Sequence, residues 1–387
     1  MLAKPAPQTP LIATFAVGLM HKAGIPVEAL QLLPGAGEVG AALTSDSRVA
    51  GVCFTGSTAT AQNINRAMAK ALAPTAPLIA ETGGLNAMIV DSTALPEQAV
   101  RDIIASSFQS AGQRCSALRM LYVQEDIFED FKDMLLGAMK ELELGNPAAL
   151  STDVGPVIDA AAQKKIEAHC EKWAEKGRVL KQLKGSTDGY FVAPTLIKLE
   201  GIEELEEEIF GPVLHIATFK ADEIDQTIDA INAKGFGLTF GLHTRVDSRV
   251  QHIVERVKAG NLYVNRNQIG AIVGSQPFGG EGLSGTGPKA GGPHYVARFR
   301  LADTSAAESV TLSRTVSAED IFKARGALRA SAWEKNFGRY TELATLFEKE
   351  TGLLNRVART MRMTCLGRPA NPTVCMQHRA ALCSALA

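Results

Sequence analysis

Short runs of β-branched and apolar residues alternate with stretches of helical periodicity along most of the chain. That alternation restricts the fold more than any other feature of the sequence. Strand-like runs cover Val49–Phe54, Leu78–Ala80, Ala87–Val90 and Met120–Val123, with helical patterns over Thr60–Ala73 and Pro96–Ser110 between them. A second series follows, with strands over Val213–Phe219 and Asn261–Asn265 and helices over Ile224–Ala233 and Val250–Val257. Strands separated by helices pair in parallel through right-handed crossovers, so the pattern predicts an α/β fold with parallel sheets covered by helices. Gly83 and Gly84 stand directly before a new strand, and their permissive backbone marks a hinge between two lobes with a crevice between them.

Near the start, Leu11, Phe15 and Leu19 recur every four residues with Ile12 and Met20 beside them, which predicts a helix with one buried face. Thr9 is its expected N-cap and Pro10 its first helical residue. The prolines and the helical spacing separate this segment from a secretory signal, so no targeting segment is expected. No run reaches the roughly 20 apolar residues of a bilayer span, which argues against an integral membrane protein. The 40 basic and 41 acidic side chains leave a formal charge of −1. Binding nucleic acid or anionic lipid needs a surplus of Lys and Arg, so neither is an expected partner. Six Cys in 387 residues are too few for a disulfide scaffold and favour a reducing, cytoplasmic setting.

After about Arg300 the character changes. Helical patterns continue over residues 318–329 and 333–350, but the Gly-rich turns stop, and the stretch 356–379 is basic. This predicts a helical C-terminal extension over residues 301–387. Cys365, Cys375, His378 and Cys383 fall close together in it, but their spacing is not that of a zinc finger, and no metal site is expected.

Three segments carry candidate chemistry. Gly35-Ala36-Gly37-Glu38-Val39-Gly40 is a literal GxGxxG, although no acidic residue follows about 20 positions later as a dinucleotide site requires. An ordinary Gly-rich turn explains it as well. Thr55-Gly56-Ser57-Thr58 joins a strand to a long helix, where free amides and the helix dipole favour an anion; a plain Ser/Thr cap is the alternative. In Ser110-Ala111-Gly112-Gln113-Arg114-Cys115-Ser116, a cysteine beside an arginine among small residues suits a nucleophile, although most lone cysteines are buried small hydrophobes. Glu81, next to Thr82-Gly83-Gly84, is poorly explained by packing and suits a general base facing the same crevice.

Together these blocks resemble the aldehyde dehydrogenase superfamily. Thr55-Gly56-Ser57, Glu81-x-Gly83-Gly84, Gly112-Gln113-x-Cys115 and Glu208-Ile209-Phe210-Gly211-Pro212 follow that family's order and spacing. The runs Gly260–Arg266, Gln276–Gly280, Leu283–Thr286 and Ala290–Tyr295 narrow the resemblance to the 1-pyrroline-5-carboxylate dehydrogenase module of bacterial proline utilization A, over residues 2–300. The resemblance implies a Rossmann-like cofactor lobe over residues 1–82, a catalytic lobe with a substrate-anchoring loop over 83–300, and association with further copies of the chain. It implies NAD-dependent oxidation of L-glutamate γ-semialdehyde to L-glutamate in proline catabolism. Cys115 would form a thiohemiacetal and then a thioester, its backbone amide would bind the oxyanion, and Glu81 would activate the deacylating water. Lys4, Thr55, Gly56, Ser57, Glu208 and Phe210 match NAD-binding positions, and Ser116, Gly285 and Thr286 match those that take the substrate carboxylate.

Three departures accompany the resemblance. The family's Trp-Asn-Phe-Pro segment, whose Asn completes the oxyanion hole, has no counterpart, and the cofactor lobe is expected to be incomplete at its start. Losing one such donor costs about 100- to 1,000-fold in rate. Pro7 stands where the family places a Glu beside Lys4, which bears on selection of NAD over NADP. The family's strand for oligomer contacts is not recognisable after Arg300. The competing expectation is therefore a catalytically impaired remnant that binds nucleotide weakly or only associates with other chains.

Overall fold

In the computed structural model, Met1–Arg300 forms one compact unit. The structure describes residues 1–185, 188–272 and 274–299, so the helices expected after residue 300 and the Cys365–Cys383 cluster lie outside the described residues.

The N-terminal part begins with β1 (Leu2–Ala3), α1 (Pro10–Lys22), β2 (Gln31–Leu32) and α2 (Gly37–Thr44). It continues with β3 (Val52–Thr55), α3 (Thr58–Ala71) and β4 (Leu78–Glu81). β1 pairs with β2 and β3 with β4, both in parallel, as two separate two-stranded sheets. The expected parallel pairing is present, but it is divided between two short ladders.

Helix α1 starts at Pro10 as its sequence predicts, but Thr9 makes no side-chain capping bond, and none of the helix's residues is buried. Leu11 is 85% and Phe15 63% exposed, and Ile12, Leu19 and Met20 are exposed beside them. The expectation of a buried face is therefore corrected. A two-residue strand spans about 7 Å, whereas a 13-residue helix is about 20 Å long, so the β1–β2 ladder cannot cover it.

The following elements are β5 (Ala87–Val90), α4 (Pro96–Phe108), β6 (Met120–Gln124), α5 (Phe128–Lys140) and α6 (Ala160–Glu175). Then come β7 (Val179–Gln182), β8 (Thr195–Lys198), β9 (Val213–Phe219) and α7 (Ile224–Ala233). The series ends with β10 (Phe236–Gly237), β11 (Thr239–His243), α8 (Asp247–Arg256), β12 (Asn261–Val264) and β13 (Glu281–Gly282). Seven of these strands form one sheet in the order β12-β11-β5-β6-β9-β8-β7. All neighbours run parallel except β7, which pairs antiparallel with β8. β7 and β8 are consecutive, and a direct hairpin needs no crossover helix.

Strands flanked by helices on both faces have no polar side to offer, which is why β5 and β6 read as unbroken apolar runs and are buried throughout. Met88, Ile89, Leu121 and Ile216 are fully buried with Ile103, Leu135 and Trp173 from the covering helices. Each such side chain contributes about 1.5–3 kcal/mol on burial. This core fixes the amino-terminal ends of β5, β6 and β9, next to which Asn86, Arg119 and the Glu208–Pro212 segment lie.

Candidate active site

The β3–β4 register places Thr55 opposite Glu81, and the Gly56 amide donates to the Glu81 carbonyl at 3.1 Å. Thr55-Gly56-Ser57 and Glu81 thus lie side by side at the carboxyl ends of parallel strands, the place where open α/β sheets form ligand crevices. Ser57 caps α3, its hydroxyl oxygen accepting from the Thr60 amide at 3.2 Å. A side chain at Gly56 would stand 2.5 Å from the Phe54 ring, so the backbone approach there depends on glycine.

Segment 280–286 runs back along the other side of β4. The Thr82 amide donates to the Ser284 carbonyl at 3.0 Å, and the Thr286 amide donates to the Ala80 carbonyl at 3.0 Å. The Thr286 hydroxyl accepts from the Ala80 amide at 2.9 Å and donates to the Leu78 carbonyl at 3.0 Å. Gly285 bridges to Glu81. The Thr286 groups that the resemblance assigns to the substrate carboxylate are therefore engaged with β4, and Gly285 and Thr286 shape the wall beside Glu81. Ser116 differs: it is buried, its carbonyl accepts from the Thr239 hydroxyl, and its own hydroxyl makes no hydrogen bond to the described residues.

Glu81 is 9% exposed. One carboxylate oxygen, Oε2, accepts from the Gly280 amide at 3.2 Å, and Oε1 is buried with no hydrogen-bond partner among the described residues. Burial pushes its pKa up to about 7, against the Gly280 amide and the Lys289 ammonium, which both favour the ionised form. Lys289 is held by a hydrogen bond to the Gly260 carbonyl.

Cys115 follows a tight turn in which Ser110, Ala111 and Gly112 all take positive φ, at 57°, 53° and 65°. Two successive non-glycine residues in that region are strained. At Gly112 a side chain would overlap the Gly211 carbonyl as well. The turn is held from below by Asn86, whose Nδ2 donates to the Cys115 carbonyl at 2.6 Å and the Ala117 carbonyl at 2.9 Å. Its Oδ1 accepts from the Thr239 amide at 3.1 Å, which ties the turn to β11. Burial pushes the Cys115 thiol above its ordinary range, the Glu208 carboxylate adds to the rise, and the Ser116 and Cys115 amides oppose it.

Glu208 lies across from this turn, packed against Gly83, where a side chain would overlap its carboxylate. Its Oε1 pairs with Arg119, at 3.0 Å to Nη2 and 3.3 Å to Nε. Burial raises the Glu208 pKa, and Arg119 and the Gly84 amide counter that. Phe210 is exposed, with its ring centroid 5.3 Å from the Arg119 guanidinium carbon. Lys4 lies farther along, donating to the Pro5 carbonyl at 2.6 Å and the Gly35 carbonyl at 3.0 Å beside the start of α2. The GxGxxG therefore does link a strand to a helix, as β2, turn and α2.

Arg119 joins the Cys115 turn to Glu208, and Glu208 packs against Gly83, two residues after Glu81, so the three residues lie around one candidate site, where both carboxylates push the thiol's pKa up. Asn86, Arg119 and Lys289 also belong to it and were not singled out by sequence. The signal for Arg119 was a charge inside the apolar run Ala117–Val123, and for Asn86 an amide between paired glycines and a strand.

Comparison with known proteins identifies the family. The profile of the aldehyde dehydrogenase family matches residues 1–303. The bifunctional protein PutA of Klebsiella aerogenes is 49% identical over 390 residues, covering 98% of this chain and 28% of the relative. That span takes in most of the stretch after residue 300, so the extension has a counterpart there. A 1-pyrroline-5-carboxylate dehydrogenase of Bacillus cereus is 38% identical over 312 residues, covering 79% of this chain and 60% of the relative. The crystal structure of a 1-pyrroline-5-carboxylate dehydrogenase from Thermus with bound NAD is 34% identical with a TM-score of 0.70, over 77% of this chain and 58% of that one. The chain spans about a quarter of the length of the PutA relatives it matches. On its matched span, its fold and the residues gathered at its strand ends, the chain belongs to the aldehyde dehydrogenase family.

Proposed function

We propose that the chain oxidises L-glutamate γ-semialdehyde to L-glutamate with NAD, as the aldehyde dehydrogenase step of proline catabolism. The observation that carries this reading is that Arg119 bonds both the turn before Cys115 and Glu208, which packs against Gly83 two residues after Glu81. Residues 1–82 would serve as the dinucleotide-binding part and residues 83–300 as the catalytic part, with Gly285 and Thr286 closing against β4.

The residues present fit NAD. The N-cap residue of α2 makes no side-chain cap, although the Glu38 carboxylate accepts from the Ala36 amide at 3.3 Å, and Ser57 opens α3 at the second helix N-terminus. Lys4 offers an ammonium to a ribose, Glu208 a carboxylate to ribose hydroxyls, and Phe210 an exposed ring. When bound, NAD supplies the two-electron acceptor.

The chain's own residues do the remaining work. Cys115 rests as a thiol, and its proton must leave before sulfur attacks; Glu81, with a pKa near 7, is the base at hand. The thiolate adds to the aldehyde carbon, and the Cys115 amide donates to the resulting oxyanion. Oxidation leaves a thioester. Glu81 releases the thiol proton to solvent and, ionised again, takes a proton from water; the water oxygen attacks the thioester carbon, the C–S bond breaks, and glutamate departs from the Cys115 thiolate. Ser116, with its free hydroxyl, is the anchor for the substrate carboxylate.

The exposed face of α1 supports a second reading, a chain that binds nucleotide weakly or only associates with others. NADH formation by the purified chain separates the two. With the semialdehyde, wild type should turn over while Cys115→Ala stays at background, and propanal should be the poorer substrate. Equal rates for folded wild type and Cys115→Ala would leave only the second reading. NAD should also raise the melting temperature, as any ligand of the folded state does.

A further inference from the structure

Arg119 is 1% exposed, among the most deeply buried charged groups described. A buried guanidinium persists only where its donors are satisfied, and this one has a partner in nearly every direction. Nη1 donates to the Gly112 carbonyl at 2.8 Å and the Gly211 carbonyl at 3.2 Å. Nη2 donates to the Arg114 carbonyl at 3.1 Å and to Glu208 at 3.0 Å, and Nε donates to the same Glu208 oxygen at 3.3 Å. Its guanidinium also lies 5.3 Å from the Phe210 ring centroid.

These partners fall into two sets. Gly112 ends the strained turn and Arg114 lies between it and Cys115; Glu208, Phe210 and Gly211 form the opposite segment. A planar fork reaches both sets at once, and a lysine ammonium in the same place cannot.

We propose that Arg119 is a positioning residue that locks the Cys115 turn to the Glu208 segment, fixing the nucleophile and the cofactor-facing carboxylate in one frame. The part concerning the cofactor rests on the reading of the site as NAD-dependent; the part concerning the thiol does not. Arg119 has a second consequence through charge. The groups that face Cys115 electrostatically are Glu208, Glu81, Arg119 and the Tyr263 hydroxyl. Arg119 offsets part of the Glu208 charge that acts on the thiol; without it only the Gly84 amide and the more distant Lys165 charge counter that carboxylate.

The experiment measures two things on the full chain: the pH profile of Cys115 alkylation by iodoacetamide, followed at the Cys115 peptide, and the NAD dissociation constant by calorimetry. Cys53 is exposed and serves as the internal reference thiol. Arg119→Lys keeps the charge and loses the fork. It should leave the alkylation profile near that of wild type while weakening NAD binding roughly 10- to 100-fold, the effect of losing a hydrogen bond to a charged group. Arg119→Met should move the alkylation profile to higher pH, Glu208→Gln should move it to lower pH, and the double variant should fall between them.

A merely structural role predicts no opposed shifts. Shifts of the same sign, or wild-type NAD affinity in Arg119→Lys, overturn the proposal. If Arg119→Met does not fold, the Glu208→Gln profile decides, and failure to move downward is equally fatal. If wild type binds no NAD, the dehydrogenase reading fails, and the alkylation profiles still judge Arg119.

Discussion

The seven-stranded sheet and the N-terminal 82 residues are built from the same alternation of strands and helices, yet they bury very different amounts of it. In the sheet, β5 and β6 are buried at every position, and Met88, Ile89 and Leu121 are inaccessible to solvent. In the N-terminal part, α1 buries none of its residues, and the strands pair in two ladders of two. The candidate site draws on both. Cys115, Asn86 and Arg119 are held by the rigid sheet, whereas Lys4 and Ser57 stand on the less covered part. Cys115 thus sits on the well-packed region and Glu81 at the end of β4 in the less covered one, and the proposed cofactor positions are divided, Lys4 and Ser57 on one side and Glu208 and Phe210 on the other. The four changes below test that division, from the largest expected effect to the smallest.

Glu81→Gln removes the proposed base at the junction of the two regions. General base catalysis is worth about 10²–10⁴-fold, so kcat should fall by that order while the protein stays folded. The pH profile gives the sign. Glu81 works as a base only when ionised, so with a pKa of about 7 the rate should climb as pH rises through that value, and the inflection should vanish in the variant. A profile that keeps its inflection in Glu81→Gln would assign the base to another group.

Leu121→Ala measures the packed region. Leu121 is fully buried in the centre of β6, and truncation of such a side chain costs about 2–5 kcal/mol, read by denaturant unfolding. Ser57→Ala is the matching change in the N-terminal part. Loss of an N-cap hydrogen bond costs about 1 kcal/mol, and the variant should also bind NAD more weakly if α3 opens toward the cofactor. A stability loss with unchanged NAD affinity would confine Ser57 to capping.

How much of this was legible in the sequence follows from the range of the interactions. β5 and the first four residues of β6 were readable because a strand buried on both faces is apolar along its length, and β9 was readable although His215 and the exposed Thr218 interrupt its apolar run. The strand end carrying Glu81 and the turn carrying Cys115 were readable because each is a local cluster with unusual composition. Arg119 was visible only as an anomaly, since its partner Glu208 lies 89 residues away. Asn86 was hidden for the same reason, because it acts on Cys115 and on Thr239, 29 and 153 residues later. Thr286 shows the converse. Its hydroxyl is available by sequence, and only the fold reveals that β4 uses it.

Helix α1 is the sharpest case, because its period of apolar residues was read correctly and its burial was not. A 3.6-residue period shows that the apolar residues share a face, but it contains no information about what covers that face. Phe15→Ser is therefore the most direct probe of the contrast between the two regions. An exposed side chain loses little when removed, so stability should change by less than about 0.5 kcal/mol, several-fold below Leu121→Ala in the same denaturant titration. If Phe15→Ser instead costs as much as the core substitution, the face is covered in solution, and the two regions are equally packed. Dependence of that cost on protein concentration would then identify the cover as a second copy of the chain, since association stabilises by mass action.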